Sequence, residues 1–567
     1  MNLHGLKHLI AIACAVTVAS SAIAQTNNPE ANAAEPSWPA ADPAAVDHWR
    51  GLRFGMFIHW GPVSLTGHEI GWSRGAETPV EVYDNLYQQF NPTNFNADEW
   101  VGIAKAAGMK YIVLTTKHHD GFCMWNTKFT DYNIMNSPFR RDVVKELSTA
   151  CKKQGVAFGA YYSVPDWYNT NWPTTSPAGS VKREKSDLDA YEKYLQNQIT
   201  ELMNNYGPFI TIWNDMPAPY GKRGAATIKL VRQLQPDILI NNRTGDGGDY
   251  DTPEQRIGKF QVDRSWESCM TVSAHNAWAW GGEKDGVKSV AACLDMLIRG
   301  AGGDGNILLN VGPRPDGVID PAQANLLKDI GAWLVKNGEA IYGTRGGPWK
   351  PWKNIVSTRK GNTVYLHVMK GDDVRIELPA LPTQIKSATL LLNGEKVSAA
   401  QTDGKLVVTL PQLGLLDPVD TIIKLELDRP AMELAAISLT PDIKASASDV
   451  FQKMSEEYGP QQAFDNDPNT RWATDSGTKQ AWIAADFGKP VTIRSVRLQE
   501  AVPYTNRVTK FEFQFRDGTE WKTIFSGQKI GERFEQKIQP VTAREFRLNI
   551  LDATEGPTIS EIELLQK

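Results

Sequence analysis

From Asp47 to Gly343, short runs of β-branched and aromatic residues that end in polar side chains alternate with longer stretches whose apolar residues recur at helical spacing. The short runs predict strands at Phe54–Ile58, Tyr111–Thr115, Ala157–Tyr162, Ile210–Trp213, Ile238–Ile240 and Ile307–Val311. The longer stretches predict helices at Ala97–Ala107, Val143–Lys153, Leu188–Asn205, Ser289–Arg299 and Ala322–Lys336. Asn96 before the first helix and Gly108 after it form a fitting cap and stop. Strand-then-helix alternation of this kind builds a parallel barrel, so residues 45–343 are expected to form a (β/α)8-like catalytic barrel. Six strands stand out, and two more have to fall between Lys259 and Thr271, so the ring is expected to be irregular.

Beyond Gly343 the period changes to two, as in Thr363–Val368 and Leu406–Leu410, which predicts a small β-sandwich over residues 344–428. Residues 429–567, with short strands and many turn residues, predict a second β-sandwich. At the other end, Lys7, the apolar run Leu9–Ala19 and Ala22-Ile23-Ala24 before Gln25 read as a cleaved signal peptide, 1–24. Ala, Pro and Asn dominate 25–44, which reads as a linker. No later apolar run reaches the roughly 18 residues that span a bilayer. The expectation is therefore an exported protein, periplasmic or secreted, with no membrane segment.

Composition adds a few exclusions. The net charge of −5 over 567 residues leaves no basic footprint for nucleic acid. Four cysteines remain after cleavage, Cys123, Cys151, Cys269 and Cys293, and no CxxC pair marks a metal ribbon; buried thiols are expected. The 18 Trp residues suit a protein that stacks sugars, and they suit core packing equally well.

Functional-looking side chains follow most of the strands: His59 and Trp60, His118 and His119, Trp167, Asp215 and Arg243. The C-terminal strand ends of such a barrel carry its site. Phe209–Met216 runs an apolar strand into Asp215, which reads either as an acid at the barrel mouth or as a cap of the following turn. Glycoside cleavage with retention needs a second carboxyl group about 5 Å from the first. Glu267, in Trp266-Glu267-Ser268-Cys269-Met270-Thr271, is the expected acid/base, because apolar neighbours would keep it protonated while Asp215 stays ionised. His59, His118 and His119 could ligate zinc or bind sugar hydroxyls. Strand neighbours point to opposite faces, so His118 and His119 could share one ion only if the strand turned there, and hydroxyl binding is preferred.

Four segments in order, Arg53-Phe54-Gly55-Met56-Phe57-Ile58-His59-Trp60-Gly61, Lys117-His118-His119-Asp120-Gly121-Phe122, Trp213-Asn214-Asp215 and Asn306-Ile307-Leu308-Leu309-Asn310-Val311-Gly312-Pro313, resemble the family 29 glycoside hydrolases, which are α-L-fucosidases. The resemblance implies Asp215 as nucleophile, a fucose held by His59, His118, His119, Tyr161 and Arg243 with Trp60, Trp72 and Trp213 around it, and no catalytic cofactor. It also makes Glu69, just before Trp72, a second candidate for the acid/base. Phe54, Trp60 or Trp278 would face the fucose methyl. The expected partner is a fucosylated glycan; the oligomeric state stays open. Two rivals remain: an exo-glycosidase on a related sugar such as L-galactose, and a non-catalytic glycan-binding protein.

The last unit, about Ser446 to Leu565, resembles the discoidin, or factor V/VIII type C, fold of family 32 carbohydrate-binding modules. That resemblance implies a structural calcium held by Asp465, Asp467, Thr470 and Glu561. An Asx-rich turn without an ion reads equally well there.

Overall fold

The computed structural model describes residues 39–175, 182–216, 220–245, 247–369, 374–410, 417–439, 443–465, 470–502 and 504–565. The leader and most of the linker lie outside them. A helix, Pro43–Leu52, begins inside the stretch read as linker. Asp42 caps it through Ala44 N and Pro43 opens it, an efficient helix start that the Ala- and Pro-rich composition concealed.

Eight parallel strands follow: β1 Phe54–Ile58, β2 Tyr111–Lys117, β3 Ala157–Ser163, β4 Thr211–Asp215, β5 Leu239–Ile240, β6 Tyr250–Asp251, β7 Ser265–Thr271 and β8 Asn306–Val311. They lie in the order β5-β4-β3-β2-β1-β8-β7-β6. A bridge between Asn241 and Tyr250 nearly closes the ring. The irregularity sits at that seam, where β5 and β6 have two residues each. One of the two unplaced strands, β7, falls in the expected interval, whereas β6 lies before it. Gly247-Gly248-Asp249-Tyr250-Asp251 has no apolar run to announce a strand. A Cβ on Gly248 would stand 2.2 Å from Asn241 O, so the seam closes on a glycine.

The helices Ala97–Ala106, Val143–Gln154, Leu188–Tyr206, Gly224–Leu234, Val290–Gly302 and Pro321–Asn337 follow strands in alternation. Their buried faces join the outward side chains of the strands in one large core. A separate cluster fills the barrel: Phe57, Val113, Tyr161, Trp213, Cys269 and Leu308, with Tyr111, Tyr250 and Trp49 toward the N-terminal end. Trp49, carried by the first helix, packs on Tyr250 with ring centroids 4.5 Å apart. Trp49 thus stoppers the barrel at its N-terminal end.

The first all-β unit packs a five-stranded antiparallel sheet on a three-stranded one. It runs past the expected end at Asp428: Ala431 and Leu434 belong to its core, their carbonyls accept from Arg359, and Ile437 bridges Trp349. The C-terminal module is a further antiparallel β unit around Trp472, Phe511, Phe513 and Phe546. It meets the barrel through Lys259 and Gln462 (3.2 Å) and the first all-β unit through Lys353 and Glu563 (4.0 Å).

Candidate active site

The open end of the barrel holds a small pocket with a cavity volume of about 80 Å³. Its floor is Phe57, Trp213 and Cys269, its walls carry the three histidines and Trp278, and Trp72 stands at its rim, 42% exposed. A larger cleft on the outer helices, lined by Phe95, Arg141 and Lys153, is occupied by ion pairs of Arg141 with Glu146 and Lys153 with Asp98.

Asp215 ends β4 with both oxygens engaged. Oδ1 accepts from Arg243 Nη1 at 2.8 Å and from Met216 N at 3.0 Å; Oδ2 accepts from Tyr161 OH at 2.9 Å and lies 3.5 Å from His119 Nε2. Burial alone would raise its pKa, but the Arg243 charge and these hydrogen bonds outweigh burial and hold it below the ordinary carboxylate range. The group is an ionised, oriented carboxylate with 14% of its side chain open to the pocket. That is the state a nucleophile needs.

β2 stops at Lys117, and the chain turns at once. Both His118 and His119 therefore face the pocket, with ring centroids 4.1 Å apart. His118 stacks on Tyr161 at an interplanar angle of 8°. Gly71 is required beside it: its φ is +67°, and a Cβ there would stand 2.8 Å from His118 Nδ1. Desolvation lowers the pKa of His59 to about 3 and of His119 to about 4, and that of His118 well below its ordinary value. All three are neutral imidazoles at physiological pH.

Glu267 is not at the strand end. It lies early in β7, in register with Asn306 at the start of β8, and is fully buried one layer beneath the pocket. Tyr111 OH and Trp213 Nε1 (3.1 Å) donate to its two oxygens. Its pKa does rise, to about 7, through burial as the sequence suggested, yet Trp213 and Cys269 stand between it and any substrate. Glu267 therefore lies outside the pocket lining. Glu69 also stays outside the pocket lining, its carboxylate spent on the backbone N–H groups of Trp278 (2.7 Å), Ala279 (3.0 Å) and Ile70 (2.9 Å). Trp60 points away from the pocket, packed among Phe90, Phe95 and Trp100, and Phe54 belongs to the same outer core. Trp278 is the one proposed methyl-facing ring that reaches the pocket; Phe57 joins it.

Among the described residues, the carboxylate that shares the pocket with Asp215 is Glu254, on the extension of β6 that bridges Cys269 of β7. It accepts from Arg243 Nη1 at 2.8 Å, the same nitrogen that holds Asp215, and is 42% exposed. Sequence reasoning missed it because β6 is two residues long. The usable signal was the acid itself, in Thr252-Pro253-Glu254, directly after the polar Asp249-Tyr250-Asp251.

In the C-terminal module, Thr470 Oγ1 donates to Asp465, 2.9 and 3.0 Å from its two oxygens, and Glu561 is buried on the last strand, Thr558–Leu565. Asp467 lies outside the described residues. Among the described residues, no three His, Cys, Asp or Glu side chains group as a metal site.

A parallel barrel with a carboxylate pair and neutral side chains able to bind hydroxyls at its C-terminal end suits a glycoside hydrolase. The family model for α-L-fucosidases matches residues 21–339, and that for the F5/8 type C domain matches 442–564. The chain belongs to the α-L-fucosidase family. It is 30% identical over 420 residues to the tissue α-L-fucosidase of Homo sapiens, across 67% of this chain and 88% of that one. Among solved structures it resembles α-L-fucosidase isoenzyme 1 of Paenibacillus thiaminolyticus (TM-score 0.63, 32% identity, 68% of this chain and 99% of that one). It also resembles a Bacteroides thetaiotaomicron α-L-fucosidase described as a trapped covalent intermediate with 2-fluoro-fucosyl fluoride (TM-score 0.61, 26% identity, 68% of this chain and 97% of that one).

Proposed function

We propose that the protein is a retaining exo-α-L-fucosidase in which Asp215 is the nucleophile and Glu254, rather than Glu267 or Glu69, is the acid/base. One observation carries this reading. An oxygen of each carboxylate lies 2.8 Å from the same Arg243 nitrogen, so the two are at most twice that, about 5.6 Å, apart. Retaining enzymes place their carboxyl groups about 5–5.5 Å apart, and inverting ones about 6.5–9.5 Å. In the first step Asp215 bonds to the anomeric carbon as the glycosidic bond breaks, and Glu254 gives its proton to the leaving oxygen. In the second, Glu254 takes a proton from water, whose oxygen displaces Asp215 with a second inversion. The pocket's depth at the end of the barrel suits a terminal sugar, and the rings of Phe57 and Trp278 suit a methyl where most hexoses carry a hydroxymethyl. L-Galactosides should be poor side substrates, since an apolar wall rejects one added hydroxyl only weakly.

The test is Glu254→Ala. It should cut hydrolysis of fucosyl oligosaccharides by about 10²-fold or more and spare substrates with good leaving groups far more. Azide should restore turnover on the latter and yield α-fucosyl azide. Azide rescue of Glu267→Ala instead would return the role to Glu267, and β-fucosyl azide would count against a covalent route.

We extend the proposal to the context of the enzyme. It acts on fucosylated glycans after export, and the C-terminal module binds glycan. Should that module hold calcium, chelation would lower its melting temperature and leave hydrolysis of an aryl fucoside intact.

A further inference from the structure

Two hydrogen-bond chains behind the pocket end on main-chain carbonyls, and each chain fixes a proton. In the first, Asn310 on β8 approaches Trp278 O at 2.7 Å with its amide nitrogen and His59 Nδ1 at 2.6 Å with its oxygen. A carbonyl oxygen only accepts, so the Asn310 atom facing Trp278 must be the NH2 group. The atom facing His59 is then an oxygen with no proton to give, and the proton in that bond belongs to His59 Nδ1. The peptide unit that carries Trp278 O is itself held, because its N–H, that of Ala279, donates to Glu69 Oε1 at 3.0 Å, and the preceding N–H, that of Trp278, donates to Glu69 Oε2 at 2.7 Å. Glu69 thus anchors the end of the chain.

The second chain runs through Ser163, the last residue of β3. Its Oγ lies 2.7 Å from Pro165 O and 2.7 Å from His119 Nδ1. Two oxygens at 2.7 Å need a proton between them, and the hydroxyl has only one. It points to Pro165, so Ser163 accepts from His119 Nδ1. Both rings are buried and neutral, and a neutral imidazole carries a single proton.

We infer that Asn310 and Ser163 are positioning residues that hold His59 and His119 as Nδ1–H tautomers, so that each ring presents a bare, proton-accepting Nε2 to the hydroxyls of the sugar. The ligand in this statement rests on the fucosidase reading; the tautomers are a property of the free protein. One consequence is specific. His119 Nε2 and Asp215 Oδ2 lie 3.5 Å apart as two acceptors, so a group that approaches either of them must donate. A hydroxyl can do this. Fluorine, similar in polarity but without a proton, cannot.

Neutron diffraction from crystals of the perdeuterated full-length protein tests the tautomers directly. Deuterium should lie on Nδ1 of His59 and His119 and be absent from Nε2; deuterium on Nε2 of either ring overturns the inference for that ring. Inhibition by monodeoxy and monodeoxyfluoro fucosides tests the consequence. Where loss of a hydroxyl weakens binding at these rings, fluorine should weaken it at least as much, and recovery of about tenfold on fluorine substitution would overturn it. Ser163→Ala should leave the fold intact, admit the Nε2–H form of His119 in the neutron map, and lower kcat/KM about five- to tenfold. An unchanged tautomer in that variant removes Ser163 from the role. Nδ1–H tautomers in a protein that binds no fucoside would fault the fucosidase reading alone.

Discussion

Asp304 below the barrel and Asp215 above it are both carboxylates bonded to arginine, and the surroundings of the two differ in one respect. Asp304 takes Arg50 (2.5 Å), Arg53 (2.7 Å) and Arg345 (2.9 Å), plus Gly346 N at 3.0 Å, and its side chain is 0% exposed. Every lone pair is used by the protein itself. Asp215 has one arginine, and that arginine is shared with Glu254. Its Oδ2 faces a phenol and a neutral imidazole across a pocket. Both carboxyls are held below their ordinary pKa against the opposing effect of burial, so a depressed pKa does not distinguish function from structure here. What distinguishes them is an oxygen that a ligand can reach.

The comparison predicts crossed phenotypes. Asp215→Asn should lower hydrolysis of an aryl α-L-fucoside at least about 1,000-fold, because an amide cannot form the covalent intermediate. Its stability should change little, since Arg243 keeps Glu254 as a partner. Near-normal turnover in folded Asp215→Asn protein would break the comparison at its upper end.

Asp304→Asn should do the reverse. Asp304 has φ +74°, a left-handed conformation that Asn adopts as readily, so the substitution removes charge without altering the backbone. It leaves three arginines without their shared counter-ion. Removing one partner of a buried ion cluster costs about 3–5 kcal/mol, which denaturant unfolding should read, while kcat of the folded fraction stays near normal. A loss of kcat with stability retained would mean that the lower cluster is coupled to the site.

How much of this was legible in the sequence follows from how each element announces itself. β1 was readable to the residue because Phe54–Ile58 is an apolar run between Arg53 and His59. The five long helices were placed within a few residues by their spacing and caps. β6 was not, since a two-residue strand closed by a single bridge has no periodicity to read. Glu254 went unread with it, and Glu267 stood out for a physical reason: an acid among Trp266, Cys269 and Met270 looks like a perturbed catalytic group whether those neighbours line a pocket or seal a core. Alternation along a strand tells which face a side chain occupies, but not its depth along the barrel axis. His118 and His119 show the same limit, since alternation would set them on opposite faces only if the strand ran on, and the turn after Lys117 brings both into the pocket.

The smallest predicted effect concerns Glu267, which lies between the two ends and sharpens the comparison. The folded protein raises its pKa from 4.5 to about 7, so the native state binds its proton more tightly than the unfolded chain does. A carboxyl raised in this way contributes stability that is complete below 4.5 and is lost as pH rises through 7. The shift corresponds to about 3 kcal/mol at most. Glu267→Gln imitates the protonated acid: its amide oxygen can accept from Trp213, and its NH2 can donate to Tyr111. The variant should therefore gain stability over the parent as pH rises from 5 to 8, by up to about 3 kcal/mol, and differ little below pH 4.5. Asp120, whose pKa is raised to about 6 by burial, titrates in the same window, but it is present in both proteins and cancels in the difference. Activity on fucosides with good and with poor leaving groups should fall together or not at all. A selective loss on poor leaving groups would make Glu267 the proton donor. Parallel stability curves across this pH range would show that it is ionised in the fold, paired with a cation or water that the Tyr111 and Trp213 contacts do not reveal.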